Sequence, residues 1–427
     1  MKRVAFFLDN LGFSSVDCSN VLNGNPGIGG TEWLFIVVST LLARRSNEID
    51  VTLYTTKSGQ FPVEVPTKIV KDLSEAIVLS DSDNIDYLII KHLASNIIEQ
   101  RLNVITQKVR IICWCHVFVC HWELDYYADN NIVEKIVFVG REMYDLYRDH
   151  SIFKKATYIY NCIEYNDARE LVAKYPYEKR GNAIVYVGSL VPFKGFHLLA
   201  EAWPKIVEAI PDAELYVIGS GKLYDENSRL GKWGIAESSY EEQFMSHLTF
   251  EGRLHPHVHF LGLLGEEKKD VLLKAKIGVP NPSGITETFC LSAVEMQMYG
   301  CRIATINYPG YMDTIKNGKL YSRRNELAKT IVDLLTSSES NYDDSMDYFH
   351  REFSYNSVSH KWEELIHTGK LDYNEKVSNL SYRLKWLKEL LRNLKEKLPI
   401  FSCLPMLERV LIYFERKRNG RVTYIDS

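Results

Sequence analysis

The feature that most restricts the fold is an alternation of short apolar, β-branched segments with segments of helical periodicity through the first 370 residues. The first series comprises RVAFFLD, VTLYTT, DYLIIKH, RIICWCHV, KIVFVG and TYIYN, at residues 3–9, 51–56, 86–92, 110–117, 135–140 and 157–161. The second comprises AIVYVG, AELYVIGSG, HVHFLG, KIGVPNPS and CRIATIN, at residues 183–188, 213–221, 257–262, 276–283 and 301–307. Strands of this composition are buried on both faces, so the sequence predicts two parallel sheets with helices on each side.

Two doubly wound α/β domains in tandem are therefore the predicted fold class. The polar, turn-rich segment 164–182 separates the two series and is the predicted linker. We predict an N-terminal domain over 1–165, a C-terminal domain over 166–355, a closing helix over 356–370 and a basic helical tail over 371–427. Ligands of such folds bind at the carboxyl ends of the strands, which makes the cleft between the domains the expected site.

Composition excludes several classes of protein. No run of 18 uncharged apolar residues occurs, so no membrane span is predicted. The apolar run in the N-terminal segment MKRVAFFLDN is shorter than that of a signal peptide. We therefore expect a cytoplasmic protein. The eight cysteines are scattered through apolar segments and are expected to be reduced. The tail holds 12 basic and 7 acidic residues on an otherwise acidic chain, which argues against a nucleic-acid partner and for a separate partner of the tail.

A glycine-rich segment, NGNPGIGGTEWLFIVVSTLLARR at 23–45, precedes a run of helical periodicity. A dinucleotide fingerprint would follow the first strand directly, but these glycines lie well beyond its end and have a different spacing. Gly29 and Gly30 instead open a predicted helix over 31–45, whose free N–H groups favour an anion. A flexible turn before an ordinary helix is the alternative.

The segment NPSGITETFCLSAVEMQMYG, at 281–300, combines two glutamates with a predicted strand-to-helix junction near Leu291. Glu295 would accept hydrogen bonds from vicinal hydroxyls such as those of a ribose, and Glu287 from those of a sugar. The candidate phosphate donors at the junction are Thr286, Thr288 and the N–H groups of Phe289, Cys290 and Leu291. The alternative is a solvated helix face with two unrelated glutamates.

A similar strand, glycine loop and helix occur in VYVGSLVPFKGFHLLAEAW, at 185–203. Lys194 lies just before that helix and would place a compact positive charge on a diphosphate without a metal ion.

Together these features resemble the large family of retaining, nucleotide-sugar-dependent glycosyltransferases of group 1, which have the two-Rossmann-domain GT-B architecture. The resemblance covers residues 1 to about 370. The family's Glu-x7-Glu signature falls on Glu287 and Glu295. Its G-R-L…K-G loop falls on GSLVPFKG, which retains Gly188 and Lys194 but has Ser189 in place of the diphosphate-binding arginine.

The resemblance also implies roles for residues that spacing alone leaves open. The family's first glycine loop falls on PGIGG, and its GGxxE loop matches loosely at YPGYMDTIKNG, with Gly310 retained and Asp313 where glutamate is usual. His116 falls where the family has a histidine that hydrogen-bonds the donor sugar, although a lone histidine there is otherwise a structural residue. The implied catalytic residues are His116, Lys194 and Glu287. The implied donor-binding residues are Gly29, Gly30, Gly188, Ser189, Lys194, Gly219, Thr288, Phe289, Cys290, Leu291 and Glu295.

The resemblance implies transfer of a sugar from a nucleoside diphosphate sugar to a hydroxyl of a glycan or lipid-linked acceptor, with retention and without a metal or cofactor. Two alternatives share the architecture: a nucleotide-sugar epimerase or hydrolase, and an inactive scaffold, which the serine at 189 favours. A zinc site in CWCHVFVCHWE, at 113–123, is a rival hypothesis. Its C-x-C and C-x4-C spacing differs from the paired C-x2-C of zinc sites.

The tail contains two patterns that the resemblance does not cover. An a/d heptad register ends at Pro399 and predicts either an oligomer seam or a helix docked on the body. Its apolar positions are Val377, Leu380, Leu384, Leu387, Leu391, Leu394 and Leu398. The segment 404–421 combines an apolar cluster with Arg416, Lys417, Arg418 and Arg421, which predicts contact with an anionic membrane surface and hence a peripheral location at the inner membrane face.

Overall fold

The structure is a computed structural model that describes residues 1–45, 47–92, 108–164, 167–221, 229–265, 267–371, 384–401, 404–411 and 414. The chain forms two compact units, of which the first comprises Met1–Cys162 and Glu352–Ser427 and the second Ile163–Arg351. Each unit is built on a parallel sheet with helices, which confirms the predicted fold class.

The first unit contains a seven-stranded sheet with the order β3-β2-β1-β4-β5-β6-β7, and every neighbouring pair is parallel. Its strands are β1 Lys2–Leu8, β2 Ile49–Thr55, β3 Thr67–Ile69, β4 Tyr87–Lys91, β5 Arg110–Cys115, β6 Val133–Phe138 and β7 Ala156–Tyr158. Its first four described helices are α1 Gly30–Arg45, α2 Leu73–Ser82, α3 His121–Asp129 and α4 Arg141–Leu146. Short 3-10 helices occupy Val21–Asn23 and Ser151–Lys154.

The second unit contains a six-stranded parallel sheet with the order β12-β9-β8-β13-β14-β15 and an antiparallel pair, β10-β11. Its strands are β8 Ala183–Val187, β9 Glu214–Ile218, β10 Thr249–Phe250, β11 Arg253–Leu254, β12 Val258–Gly262, β13 Ile277–Gly278, β14 Arg302–Ile306 and β15 Gly318–Tyr321. Its helices are α5 Ala168–Lys174, α6 Phe196–Ala209, α7 Ser238–Leu248, α8 Lys268–Lys274, α9 Leu291–Met298, α10 Pro309–Met312, α11 Leu327–Thr336 and α12 Tyr342–Phe353, the last of which runs across the boundary. Short 3-10 helices occupy Tyr177–Lys179, Pro192–Lys194 and Arg324–Glu326.

The apolar segments form the central strands because both of their faces are buried. Residues 4–8 of β1 and all five residues of β14 are buried, as expected for strands between two helix layers. The sequence pattern does not predict the edge strands β3 and β15. All three residues of β3 are exposed, so no apolar periodicity marks it.

The closing helix α13, Tyr355–Thr368, packs within the first unit. Trp362 is buried and its ring lies 4.9 Å from that of Trp114 and 6.5 Å from that of Phe6. On the outer side, Arg45 forms an ion pair with Glu363 at 2.8 Å. The closing helix therefore completes the core of the N-terminal sheet.

Part of the tail forms a helix, α14, at Lys385–Lys397, followed by a 3-10 turn at Pro399–Phe401. The predicted heptad register is not continuous, because Leu384 has a left-handed backbone, with φ of 70°, that an α-helix interior does not accommodate. Val377 and Leu380 lie outside the described residues. The helix that remains contains fewer than two heptads, which is short for a free coiled coil.

The helix α14 docks on the first unit through its cationic side. The ammonium of Lys388 is buried and donates to the carbonyl of Asp145 at 3.2 Å, near the end of α4. Arg392 donates to the carbonyl of Arg148 at 3.0 Å, and Lys395 lies 3.7 Å from the buried Asp149 carboxylate. Basic groups at the carboxyl end of a helix are stabilising, so these contacts favour docking over an isolated tail.

The opposite side of α14 is apolar and exposed. Trp386 is 67% exposed and Leu390 is 53% exposed, whereas the leucines at 387, 391 and 394 are half-buried. Within the described ranges, no helix is both long and apolar enough to cross a lipid bilayer.

Candidate functional site

In the second unit, the loops that follow β8 and β9 lie in direct backbone contact. Gly219 has a φ of 150°, and a side chain there would place its Cβ 1.9 Å from the carbonyl oxygen of Gly188. Only glycine accommodates both the conformation and this close approach. The structure therefore explains why the loop after β9 carries glycine where its strand ends.

A second glycine brings Lys194 towards the loop that follows β13. Lys194 ends the 3-10 helix Pro192–Lys194, and Gly195 continues the chain in a left-handed conformation with φ of 70°. A Cβ at Gly195 would lie 2.7 Å from the backbone nitrogen of Ser283. In addition, the Ser283 hydroxyl donates to the carbonyl of Phe193 at 2.5 Å. These contacts fix one loop against the other.

Lys194 and Glu287 meet as a result. The Lys194 ammonium lies 3.1 Å from Oε2 of Glu287, and the Asn281 amide donates to the same oxygen at 3.1 Å. Both partners of the ion pair are largely buried. Thr286, next to the acid, has a φ of 63°, a strained conformation for a β-branched residue. Such strain is typical of loops whose geometry the surrounding structure enforces, and functional sites collect it.

Glu295 lies inside α9, where its neighbours in the helix are buried apolar residues. Its Oε1 atom lies 2.8 Å from the ammonium of Lys268, the first residue of α8. The structure thus gives each glutamate of the signature its own lysine, and the two lysines come from different elements.

The remaining predicted donor-binding residues of this unit lie at the start of α9 or beside it. Thr288, Phe289 and Cys290 are buried and directly precede Leu291, the first residue of the helix, as predicted. Burial, followed by the charge of Glu287, raises the pKa of the Cys290 thiol to about 12. The Cys290 side chain is therefore a protonated thiol at neutral pH rather than a nucleophile. Ser189 is also buried, and its hydroxyl donates to the carbonyl of Ser220 at 3.2 Å.

In the first unit, the glycine loop is ordered by its own side chains. The Asn25 carboxamide oxygen accepts the N–H groups of Gly27 and Ile28, each at 2.9 Å. The helix α1 then begins at Gly30, one residue before the predicted start. Its first turn contains Glu32, whose carboxylate lies 2.6 Å from the ammonium of Lys91. This acid already compensates the positive end of α1 and so opposes a second anion there.

His116 follows β5, as predicted, and packs in an aromatic cluster. Its ring lies 4.5 Å from that of Trp114 and 6.1 Å from that of Phe35, and both ring nitrogens are shielded from solvent. Burial, reinforced by the positive charges of Lys91 and His92, lowers the pKa of His116 to about 3. The imidazole is therefore neutral at physiological pH.

The rival zinc site is not assembled from the residues that the sequence pattern indicated. Burial raises the pKa values of the Cys113 and Cys115 thiols, which opposes the thiolate form that a metal requires. Among the described residues, the one group with suitable proximity is His121, Asp125 and His150.

That histidine and aspartate group forms hydrogen bonds of its own. Nδ1 of His121 and Nε2 of His150 each lie 3.0 Å from a different carboxylate oxygen of Asp125. The backbone N–H of Ile152 donates to Nδ1 of His150 at 3.1 Å, so in the neutral ring the proton is on Nε2. A metal at Nε2 would require the other tautomer, which disfavours this group as a metal centre.

The structure therefore joins Lys194 to Glu287 in one unit and places His116, Gly29 and Gly30 in the other. Four further residues were not singled out by the sequence: Asn281, Lys268, Glu32 and Lys91. One sequence signal could have indicated Glu32: it lies two residues after Gly30, in the first turn of the predicted helix, where an acid is stabilised. Nothing in the sequence distinguishes Lys268 from its neighbour Lys269, because only tertiary packing brings one of them to Glu295.

Comparison with known proteins identifies relatives of this chain. Residues 167–352 match the family model described as glycosyl transferases group 1. The phosphatidyl-myo-inositol mannosyltransferase of Mycobacterium tuberculosis is 24% identical over 147 residues, which are 34% of this chain and 33% of the relative. The match thus spans about a third of that relative's length.

Solved structures resemble this chain over most of its length. Alr3699/HepE of Anabaena, solved in complex with UDP and glucose, is 14% identical with a TM-score of 0.59, and the alignment covers 86% of this chain and 100% of that one. A glycosyltransferase from Rickettsia africae ESF-5 is 12% identical with a TM-score of 0.60, covering 86% and 99%. At such identities the likeness shows the fold alone. Together with the family match, which covers residues 167–352 and so less than half of the chain, it shows that the chain has the GT-B fold and that its second unit is similar to the group 1 glycosyl transferases.

Proposed function

We propose that this protein transfers a sugar, with retention of configuration, from a nucleoside diphosphate sugar to a hydroxyl of a glycan or lipid-linked acceptor. The observation that carries the proposal is the pair of glutamates before and within α9: Glu287 is ion-paired with Lys194 at 3.1 Å, and Glu295 with Lys268 at 2.8 Å. A nucleoside diphosphate sugar offers what such a site recognises, namely a diphosphate, ribose hydroxyls and sugar hydroxyls.

In this proposal the second unit stabilises the leaving diphosphate. Cleavage of the glycosidic bond places negative charge on the diphosphate, and Lys194 together with the N–H groups at the start of α9 would stabilise that charge. Glu287 would then exchange its contact with Lys194 for hydrogen bonds to the sugar. Glu295 would accept hydrogen bonds from the ribose hydroxyls.

The first unit would orient the reacting sugar and the acceptor. His116 is neutral, so its contribution would be a hydrogen bond to the donor sugar rather than a charge. Gly29 and Gly30 would let the backbone approach the sugar closely. A covalent nucleophile is not part of the proposal, and the leaving phosphate would take the proton of the acceptor hydroxyl.

We further propose that the reaction needs no metal ion, since Lys194 would supply the charge that a metal otherwise provides. The deciding experiment incubates the purified chain with UDP-, GDP- and ADP-sugars and measures release of the nucleoside diphosphate, with and without EDTA. Turnover that survives EDTA supports the proposal. Loss of turnover with EDTA and recovery with manganese contradict the metal-free mechanism, and binding without turnover favours the inactive scaffold.

We place the protein in the cytoplasm, at the inner face of the membrane, where a lipid-linked acceptor would be available. The support comes from the tail, whose net charge is +5 and whose helix α14 presents Trp386 and Leu390 to solvent. In the segment 404–421 the ring of Phe414 is also exposed, while Arg416 and the three basic residues after it lie outside the described residues. Apolar and basic groups on one surface favour an anionic lipid surface.

The location is tested by sedimentation of the full chain with phosphatidylglycerol-containing vesicles and with neutral vesicles. We expect Trp386→Glu combined with Leu390→Glu to reduce sedimentation with anionic vesicles severalfold. Phe250→Glu is the control, since Phe250 is even more exposed than Trp386 and Leu390 but lies in the second unit. If the double variant instead changes the oligomer size and leaves vesicle binding intact, α14 is a contact between two copies of the chain.

A further inference from the structure

The contact between Lys268 and Glu295 carries an inference beyond the residues that the family signature marks. We propose that Lys268 is a positioning residue of the nucleotide site, which holds the Glu295 carboxylate in place to accept the ribose hydroxyls. The inference rests on the proposed function. Its geometric basis is the 2.8 Å separation between the Lys268 ammonium and Oε1 of Glu295, which joins α8 to α9.

Burial makes Glu295 dependent on a partner. The residue is 6% exposed and is flanked in α9 by the buried Val294 and Met296. A carboxylate in such surroundings costs free energy unless hydrogen bonds or an opposite charge compensate it. Lys268 supplies that charge, and the direction of its contact fixes the rotamer of the acid.

The lysine also makes an acid compatible with an anionic ligand. A nucleoside diphosphate would bring negative charge close to Glu295, and an uncompensated carboxylate would repel it. Because the Lys268 ammonium lies 2.8 Å from the Glu295 carboxylate, the two opposite charges largely cancel at the greater distance of a bound diphosphate. The carboxylate oxygens can still accept hydrogen bonds from hydroxyl groups. Lys268 would thus allow one residue to bind ribose without opposing phosphate.

The neighbouring lysine provides a matched comparison. Lys269 lies on the same helix and contacts the carboxylate of Asp167 at 3.4 Å, at the surface of the second unit. Substitution of either lysine removes one positive charge and one ion pair from α8. Only the substitution at 268 should affect a ribose site.

The test measures binding by titration calorimetry on the full chain and on the variants Lys268→Met, Lys268→Arg and Lys269→Met. The ligands are UDP, GDP and ADP, followed by the 2′,3′-dideoxy analogue of the diphosphate that binds best. For Lys268→Met we expect binding of the ribonucleotide to weaken roughly tenfold or more, as is typical when a charged hydrogen-bonding partner is removed. Lys268→Arg should restore most of the affinity, and Lys269→Met should change it less than twofold.

The dideoxy analogue separates positioning from other roles. It lacks the hydroxyls that Glu295 would accept but keeps the diphosphate, so we expect Lys268→Met to weaken its binding much less than that of the ribonucleotide, by the repulsion of the uncompensated carboxylate alone. An equal loss for both ligands would mean that Lys268 acts on the phosphates or on folding, and no loss for either would make it a bystander. Both results overturn this inference while leaving the donor site intact. A wild type that binds none of the three diphosphates overturns the proposed function as well.

Discussion

Both units contain a parallel sheet with helices, but the helices α1 and α9 differ in the charge near their N-terminal ends. In the first unit, α1 begins with Glu32, which contacts the half-exposed Lys91. In the second unit, α9 has no acidic residue in its first turn, and the acids Glu287 and Glu295 are both largely buried against lysines. The positive end of α9 therefore has no acid in its own first turn, whereas that of α1 has Glu32.

Under the proposed function, this difference between the units would support two kinds of recognition. A helix end without its own acid favours a diphosphate, and buried ion pairs have stronger and less screened electrostatics than exposed ones. In the first unit, the neutral His116, packed against aromatic rings, would instead bind hydroxyl groups under the proposed function. We therefore expect substitutions in the second unit to affect catalysis and donor binding more strongly than those in the first.

The largest effect should come from the ion pair of Lys194 and Glu287. Lys194→Ala and Glu287→Ala should each lower turnover by roughly 100- to 1,000-fold, because each removes a contact made to charge or hydroxyls in the transition state. Steady-state kinetics with the preferred nucleotide sugar measures this. Lys319→Ala, which removes an exposed lysine paired with Asp333 in the same unit, is the control and should be near normal. Comparable kinetics in Lys194→Ala and Lys319→Ala would contradict the assigned role.

Glu295→Ala should act on binding rather than on the chemical step. We expect donor affinity to fall about 10- to 100-fold, with a smaller loss of turnover at saturating donor than in Glu287→Ala. Separate determination of kcat and KM shows the difference. Glu237→Ala removes a surface carboxylate at the start of α7 and serves as the control. A turnover defect equal to that of Glu287→Ala would mean that the two acids do not have separate roles.

The buried imidazole of His116 should contribute to the pH dependence of the free energy of unfolding. Because its folded pKa is about 3 and its unfolded pKa near 6.5, the unfolded chain binds a proton that the folded chain does not between these values. This histidine therefore makes stability fall as the pH drops from about 6.5 towards 3, by at most about 1.4 kcal/mol per pH unit. Chemical unfolding of the wild type and His116→Phe at pH 7 and pH 5 measures it. The variant should lose less stability on acidification, and identical losses would contradict a buried neutral imidazole.

The smallest effect should come from Glu32. Glu32→Gln removes the acid from the first turn of α1 and should cost less than about 1 kcal/mol of folding free energy. If the second unit binds the diphosphate, the KM for the donor should change less than about twofold, which is well below the effect at Glu295. A change in donor KM as large as that in Glu295→Ala would place the diphosphate at the glycine loop and reverse the comparison between the units.

The sequence alone determined the two sheets, because their central strands are apolar on both faces and that pattern is local. It also determined the strand-to-helix junction at Leu291, since a helix start depends on a few neighbouring residues. The edge strands β3 and β15 escaped prediction for the same reason, as they bury too little to leave an apolar pattern. Lys194, Glu287 and Glu295 of the second unit were likewise singled out from their places at strand-to-helix junctions, and the family resemblance added to that interpretation.

Tertiary structure decided which charges meet. Lys194 and Glu287 are 93 residues apart, and only the close approach of the Gly195 and Ser283 backbones brings them into contact. The choice of Lys268 rather than Lys269 as the partner of Glu295 depends on the rotation of α8 against α9. The tail shows the same limit, since its leucines left an oligomer seam and a docked helix as alternatives, and the docked side is formed by Lys388 and Arg392. Heptad spacing reports which residues share a helix face, but the carbonyls and carboxylates that a face meets belong to distant parts of the chain.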